Sequence, residues 1–542
     1  MSNIFSVFNK YKYLLLIILL AVGLRSVFID WPFYTVEEAR VSFRGYNLSH
    51  YGLDELGRKV PYIFNSLEGY RLPVTSYISS IGVLIFGKND FGIRIPFIIL
   101  GVLLVFFTYK ASFVFSKKRE YALLSALILS LSPTLIFLSR VPNEIIILAN
   151  LLLTLFILLT RVKVNVLYIG VIVFLALLTS QKAWFVLLPF IIFTLQIYNN
   201  DLNKTTKRNI YLLALFETAL ILIFFLNIPQ GIRDLVEGNF TLTSDPTIKN
   251  GIDTLRGQAV IQGVSPFVAK ILFNKLHYIF SSILNWLSAI QLNTFFGQFE
   301  NNSKLAFYNM GVWTRITIIP FAWAAYLLIK RPEMKLRYLG WMGLLLTFPI
   351  LFTYPLPTKQ YIILFIPFMA FLISYGLMKM SVKLRVVLIL LILIELSINM
   401  LVSSYRDSKI GDIRPLWIKP LISDINSVNN SEFIGVSDNI VEDITPYILL
   451  FGKERKISDP QNLDFPYKFR QPRLDNIIYI GSETEIYICS DKEQTDKRVK
   501  KVFLSKRDLE KFIEPVLKTE KTYYDQLGKE VAFLVSGKLC LR

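Results

Sequence analysis

Carboxylates and guanidinium groups gather at a few points in this chain, and their types suggest acid–base work beside a phosphate. Glu37 and Glu38 stand side by side in Asp-Trp-Pro-Phe-Tyr-Thr-Val-Glu-Glu-Ala-Arg-Val-Ser-Phe-Arg-Gly (residues 30–45), just past a strongly apolar segment and followed by Arg40. Glu68, Tyr70 and Arg71 precede a second apolar stretch, and Arg140 and Glu144 lie in Leu-Ser-Arg-Val-Pro-Asn-Glu. Each group also has a bland explanation. Carboxylates flanking a helix start are favoured by its dipole, and arginines outside a membrane bind lipid phosphates without doing chemistry. Together they meet one demand: a lipid-phosphate leaving group needs cationic stabilisation, and an acceptor hydroxyl needs a carboxylate base.

The elements that must position these groups are membrane spans. Of 542 residues, 53% are hydrophobic and 18% charged, too apolar for a soluble protein and too many residues for one domain. The formal charge of +19 could point to nucleic acid, but its location excludes that. Residues 405–542 carry about 23 basic and 22 acidic groups, so the excess sits among the apolar segments, where a positive-inside pattern puts it.

Apolar runs long enough for a membrane helix occur near 12–29, 93–115, 120–138, 144–160, 164–180, 183–199, 209–228, 308–329, 336–354, 360–379 and 383–404, eleven in all. The first follows Lys10 and Lys12 and has no small-residue cleavage site, so it reads as a retained helix and not a signal peptide. Basic clusters at 117–119, 161–163, 204–208, 330–337 and 379–385 fall in alternate loops on the side of Lys10 and Lys12, which makes the amino terminus cytoplasmic. Loops 30–92 and 229–307 and the carboxyl-terminal region then lie outside, on one face with Glu37, Arg71, Arg140 and Glu144. Within those loops, 36–50, 74–86 and Phe267 to Leu287 read as interfacial helices, with a Gly-, Asp- and Thr-rich part at 238–265. Two organised units result. Residues 1–404 form a polytopic α-helical membrane unit, and 405–542 a small soluble α/β or α+β domain with strands expected at 432–436, 476–481, 484–489 and 530–541 and helices at 440–451 and 507–516.

The order of the first helix, Glu-Glu-Ala-Arg, Tyr-Arg-Leu-Pro-Val-Thr-Ser-Tyr and Leu-Ile-Phe-Gly-Lys-Asn-Asp-Phe-Gly-Ile-Arg-Ile-Pro resembles the polyprenyl-phosphate-dependent membrane glycosyltransferases of the GT-C fold. It is most similar to the branch of the protein O-mannosyltransferases and the lipid A aminoarabinose transferase. The likeness covers about the first 200 residues well, and the rest in layout. The resemblance implies a catalytic base at Glu37, with Glu38 its neighbour in the motif and Glu144 a second acidic residue. It implies donor-phosphate contacts from Arg71 and Arg40 and, by position only, from Lys359 and Tyr361. The family's loop motif is usually Asp-Glu, where this chain has Glu37-Glu38. The Trp-Trp-Asp tripeptide of oligosaccharyltransferases does not occur.

On that resemblance the donor is a polyprenyl-phosphate monosaccharide, the acceptor a protein, glycan or lipid hydroxyl, and the transfer inverting. The cofactor is none or a divalent metal. Some relatives hold a metal near the acidic pair, but no ligand cluster here demands one, and His50 and His277 read as interfacial histidines. Cys489 and Cys540 permit one disulfide or two thiols. Two other classes compete. A transporter or flippase would show internal repeats and mid-membrane polar breaks, and a scaffold would leave Glu37, Arg71 and Glu144 dispersed.

Overall fold

The computed structural model describes residues 2–27, 32–54, 59, 64–66, 69–160, 166–197, 204–227, 246–299, 306–307, 310–330, 333–352, 359–407, 418–428, 434–437, 445–451, 477–480, 486–488, 498–505, 518–524 and 530–541. Glu68, Cys489 and the helix expected at 507–516 lie outside this set, as do the side chains of Tyr70, His277 and Cys540.

The chain is an integral membrane protein built of helices. It begins with α1 (Ser2–Ser26), α2 (Val36–Tyr51), a two-stranded hairpin of β1 (Phe64–Ser66) and β2 (Gly69–Arg71), α3 (Val74–Phe86) and α4 (Asp90–Ser116). Next come α5 (Arg119–Ser130), α6 (Pro133–Leu138), α7 (Glu144–Leu159), α8 (Val166–Thr179), α9 (Lys182–Ile197) and α10 (Lys204–Asn227). The second long loop carries α11 (Pro246–Ile261), α12 (Pro266–Leu272), α13 (Lys275–Ala289) and α14 (Leu292–Phe296). Then follow α15 (Ile318–Lys330), α16 (Met334–Thr347), α17 (Gln360–Met378) and α18 (Val382–Asp407). Among the described residues three helices are long and apolar enough to cross a membrane: Asp90–Ser116, Gln360–Met378 and Val382–Ser404. α17 is the central one, with 89% of its apolar window buried against 28% for the last, which faces outward.

Several boundaries differ from the periodicity reading for physical reasons. The single helix expected at 120–138 is two, because Pro133 cannot donate to the preceding turn and holds Ser132 extended. The start expected at 308 moves to Arg315, where a short 3-10 turn leads into α15, and Trp313 is buried ahead of it. The run at Phe267–Leu287 breaks at Phe273 and Asn274 into α12 and α13, and the Gly-rich stretch before it contains α11.

α2, α3 and α4 fit closely. A Cβ at Gly45 in α2 would lie 2.6 Å from Ser79 Oγ in α3, and one at Gly82 in α3 would collide with the Gly92 carbonyl and Pro96 ring of α4. These glycines let three helices share one layer, and the hairpin entering α3 inherits its position from that contact.

The carboxyl-terminal unit carries α19 (Ile418–Ser427) and α20 (Thr445–Phe451) on a mixed sheet. Its strands are β3 (Ile434–Ser437), β4 (Ile477–Ile480), β5 (Ile486–Ile488), β6 (Arg498–Ser505), β7 (Lys518–Tyr524) and β8 (Glu530–Leu541). The order is β4-β3-β6-β8-β5 with β7 also on β8, and β3 runs parallel to both β4 and β6. β6 and β7 escaped the sequence reading because their lysines, arginine and glutamate mask the apolar alternation. The unit's core is continuous with the outer loop: Phe33, Tyr34, Ala39, Phe43, Tyr46, Val83 and Ile93 pack with Ile418, Ile422, Tyr447 and Ile448.

Within the unit, Asp424 of α19 accepts from Lys521 Nζ at 2.5 Å and Tyr523 Oη at 2.7 Å. Burial alone would raise its carboxyl, but these two hydrogen bonds overcome that and hold it below its ordinary value of 3.8. The contribution is therefore complete above the unfolded value and is lost as pH falls through the lowered one. Acid unfolding of the unit, followed by tryptophan fluorescence or circular dichroism below pH 4, shifts to higher pH in the wild type's reference variant Asp424→Asn and loses this component of its pH slope. Gly82→Ala lowers stability by about 1–3 kcal/mol through overpacking, as read by thermal unfolding in detergent.

Candidate active site

The site is assembled from helix starts. Thr35, extended at φ −74°, caps α2: its hydroxyl accepts from the Glu38 amide at 3.3 Å, and Glu38 Oε2 accepts from the Thr35 amide at 2.9 Å. This capping box satisfies two backbone donors of the first turn reciprocally. Glu38 is thus a buried capping carboxylate, whereas Glu37, one residue earlier and about 100° away around the helix, is exposed and has no partner among the described residues. Arg40 is buried on the inner side of α2, as is Arg44, whose guanidinium lies 5.3 Å from the Phe64 ring and donates to Ser76 Oγ at 3.3 Å.

Arg71 closes the hairpin opposite Phe64, immediately before Leu72-Pro73 and α3. Its charge falls within electrostatic reach of Glu144. Glu144 is the first residue of α7, capped by Asn143, whose side-chain oxygen accepts from the Ile145 amide at 2.7 Å. One carboxylate oxygen of Glu144 accepts from Lys182 Nζ at 2.8 Å and from Ser180 Oγ at 2.7 Å. The Lys182 side chain is 10% exposed and that of Glu144 35%, so the pair sits at the lip of the helix bundle. Tyr361, buried in the first turn of α17, is also within electrostatic reach of Glu144.

The arrangement therefore joins Arg71, Glu144 and Tyr361 from three separate parts of the sequence and adds Lys182 and Ser180. Lys182 was not singled out from the sequence. The available signal was a lysine in Thr-Ser-Gln-Lys-Ala-Trp between two apolar runs at a predicted outer turn. A lysine opening a helix faces an unfavourable dipole, and Glu144 is the compensation. Lys359 is directed elsewhere: its ammonium donates to the Phe299 carbonyl at 2.5 Å and lies 5.8 Å from that ring. Arg140 donates to the Leu24 carbonyl at 2.6 Å, closing the end of α1. Burial, then the nearby Arg94, pull its guanidinium down to about 10. His50 lies in the last turn of α2 with its ring 4.3 Å from that of Tyr46.

Among the described residues no group of three or more His, Cys, Asp or Glu side chains is placed to hold a metal ion. Glu37 and Glu38 point apart, one outward and one into its capping box, so the pair does not fit a shared chelate. No step below is routed through a metal.

Comparison with known proteins agrees with this architecture. Residues 71–227, which begin at Arg71 and contain both Glu144 and Lys182, match the family described as dolichyl-phosphate-mannose-protein mannosyltransferase. The fold is similar to that of ArnT from Cupriavidus metallidurans bound to undecaprenyl phosphate, at 11% identity and TM-score 0.54, covering 97% of this chain and 98% of that one. The oligosaccharyltransferase of Archaeoglobus fulgidus aligns at 14% identity and TM-score 0.46 over 81% of this chain. The chain spans about three fifths of that enzyme's length, covering 61% of it. A search of curated proteins finds no significant match. The chain has the GT-C fold of membrane glycosyltransferases.

Breaking a shielded ion pair from one side leaves a charge without its partner. Lys182→Met and Glu144→Gln each destabilise the protein, and the double variant recovers part of the loss. A double-mutant cycle in chemical or thermal unfolding gives a coupling of about 1–3 kcal/mol, toward the lower end because Glu144 is partly solvated.

Proposed function

We propose that the protein is a glycosyltransferase that moves one monosaccharide from a polyprenyl-phosphate donor to an acceptor hydroxyl on the outer face of the membrane, inverting the anomeric carbon. The observation that carries this reading is the cluster of Arg71, Lys182, Glu144 and Tyr361 at the outer helix ends. Three of these are charged, Arg71 and Lys182 positively and Glu144 negatively.

The chemistry uses the two cations. In the donor the phosphate is a diester with one negative charge. When the acceptor oxygen bonds to the anomeric carbon, the bond from that carbon to the phosphate oxygen breaks and the leaving polyprenyl phosphate gains a second negative charge. Cations beside it are stabilising in proportion to charge that develops only in the transition state, which is the condition for catalysis. Arg71 and Lys182 supply those cations. Glu144 holds Lys182 in place before the donor arrives and, at the start of α7, draws on the helix dipole itself. Tyr361 offers a hydroxyl on the same rim, while Arg40 and Lys359 lend positive potential from α2 and from the turn before α17.

Glu37 takes the proton of the acceptor hydroxyl. Its exposure in the first turn of α2 suits a base that must meet an incoming acceptor, and Glu38 contributes by fixing that turn. In this reading eleven spans place the amino terminus in the cytoplasm and the carboxyl-terminal unit, residues 405–542, outside with the site. The description of the matched family favours a hexose such as mannose as the sugar.

Purified protein incubated with radiolabelled polyprenyl-phosphate sugars and membrane extract transfers label to an acceptor. Glu37→Gln lowers kcat by about 10²- to 10⁴-fold, the usual contribution of a general base, and retained transfer in that variant removes Glu37 from the role. Arg71→Met lowers kcat/KM for the donor by about 10- to 100-fold, the loss expected for one charge-assisted hydrogen bond. Absence of turnover with every donor overturns the enzyme reading.

A further inference from the structure

The residues that enter α2 are held from two sides, and one side belongs to the carboxyl-terminal unit. Pro32, Phe33, Tyr34 and Thr35 form neither helix nor strand, so their backbone groups need partners from elsewhere. From the membrane helices, Arg94 of α4 donates to the Pro32 carbonyl at 2.5 Å and to the Tyr34 hydroxyl at 3.0 Å, with its guanidinium 4.6 Å from the Tyr34 ring. From the carboxyl-terminal unit, the Tyr447 hydroxyl of α20 donates to the Tyr34 carbonyl at 3.0 Å. The Phe33 ring lies between the rings of Tyr447 and Phe451, at 5.8 and 5.7 Å, and is near-parallel to the first at 11°. Lys419 of α19 completes the contact, 3.3 Å from Asp90 Oδ2 at the start of α4 and 5.3 Å from the Phe33 ring.

Tyr34 immediately precedes the cap of α2. Thr35 bonds the Glu38 amide, and the Ala39 amide donates to the Thr35 carbonyl at 2.9 Å. A displacement of the Tyr34 carbonyl therefore moves the cap, and with it the first turn that presents Glu37 two residues further on. A unit that only covered the outer face would need apolar contact. This one adds a buried hydroxyl directed at one carbonyl, and an ammonium bridging the same segment to α4.

We propose that the carboxyl-terminal unit is part of the catalytic machinery, with Tyr447 a positioning residue that clamps Pro32–Tyr34 against Arg94 and so fixes the turn carrying Glu37. The proposal rests on the reading of Glu37 as the base, but the clamp itself is measured without turnover. In the full-length protein in lipid nanodiscs, Tyr447→Phe keeps the ring stack and removes one hydrogen bond. Hydrogen–deuterium exchange then quickens in peptides covering 34–46, at the amides of Glu38 and Ala39, while peptides from β8 keep their protection.

With radiolabelled undecaprenyl-phosphate mannose as donor, kcat falls by roughly tenfold, the equivalent of one buried hydrogen bond, with KM for the donor unchanged. Lys419→Met gives the same local pattern from the other contact. Asp424→Asn, which loosens the unit away from the clamp, leaves exchange at 34–46 as in the wild type. Unchanged exchange at 34–46 in both Tyr447→Phe and Lys419→Met overturns the clamp, as does an equal rise in β8, which marks general loosening of the unit. Faster local exchange with unchanged kcat in a protein that turns over removes the positioning role. Transfer surviving Glu37→Gln defeats the reading of the base and leaves the exchange result standing.

Discussion

An ammonium and a carboxylate 2.8 Å apart, at the first residues of α9 and α7, organise one end of the helix bundle. Lys182 is poorly placed alone: it sits against the positive end of its own helix with its side chain only 10% exposed, where an unpaired charge is costly. Paired, they fix the relative position of two helix starts, with the charge of Arg71 from the hairpin within electrostatic reach. In the proposed reaction, a phosphate whose charge grows is the ligand for which such a site gains most.

The second constraint is mechanical. α2, α3 and α4 meet through glycines, so the layer that carries Arg71 and Glu37 has little freedom to slide. That layer is also the floor on which the carboxyl-terminal unit rests, and the two share one apolar core. A soluble unit attached by a flexible tether could bind an acceptor and swing away. A unit whose tyrosine closes a backbone carbonyl beside the helix cap is instead bound into the geometry of the turn.

Much of this was legible in the sequence, and the reasons for success and failure are physical. The 13-residue stretch 74–86 was readable as a short helix because it is apolar yet too short to span, and α2 was readable from Val36, Val41, Phe43 and Tyr46 at helical spacing. Arg71 and Glu144 were legible as chemistry, but their proximity was not. It depends on a hairpin coming within electrostatic reach of the start of a helix more than 70 residues away, which no local period encodes. Lys182 was hidden because one lysine between apolar runs looks like a solvated turn until its partner is known. β6 and β7 were lost because their charged residues fall on both faces, at 498, 500 and 501 and at 518, 520 and 521, and so break the alternation that reveals a strand.

The two adjacent glutamates show how sequence proximity misleads about shared function. Neighbours on a helix diverge by about 100°, and here the two carboxylates point apart. The capping box settles which one faces in: the carboxylate at the third helical position reaches back to the Thr35 amide, and the one before it is turned to solvent. With Glu in place of Asp, the exposed position carries a longer side chain that has no partner among the described residues, while the buried position keeps the length the cap requires. The motif is one capping carboxylate and one exposed carboxylate, and the second takes its position from the turn the first fixes.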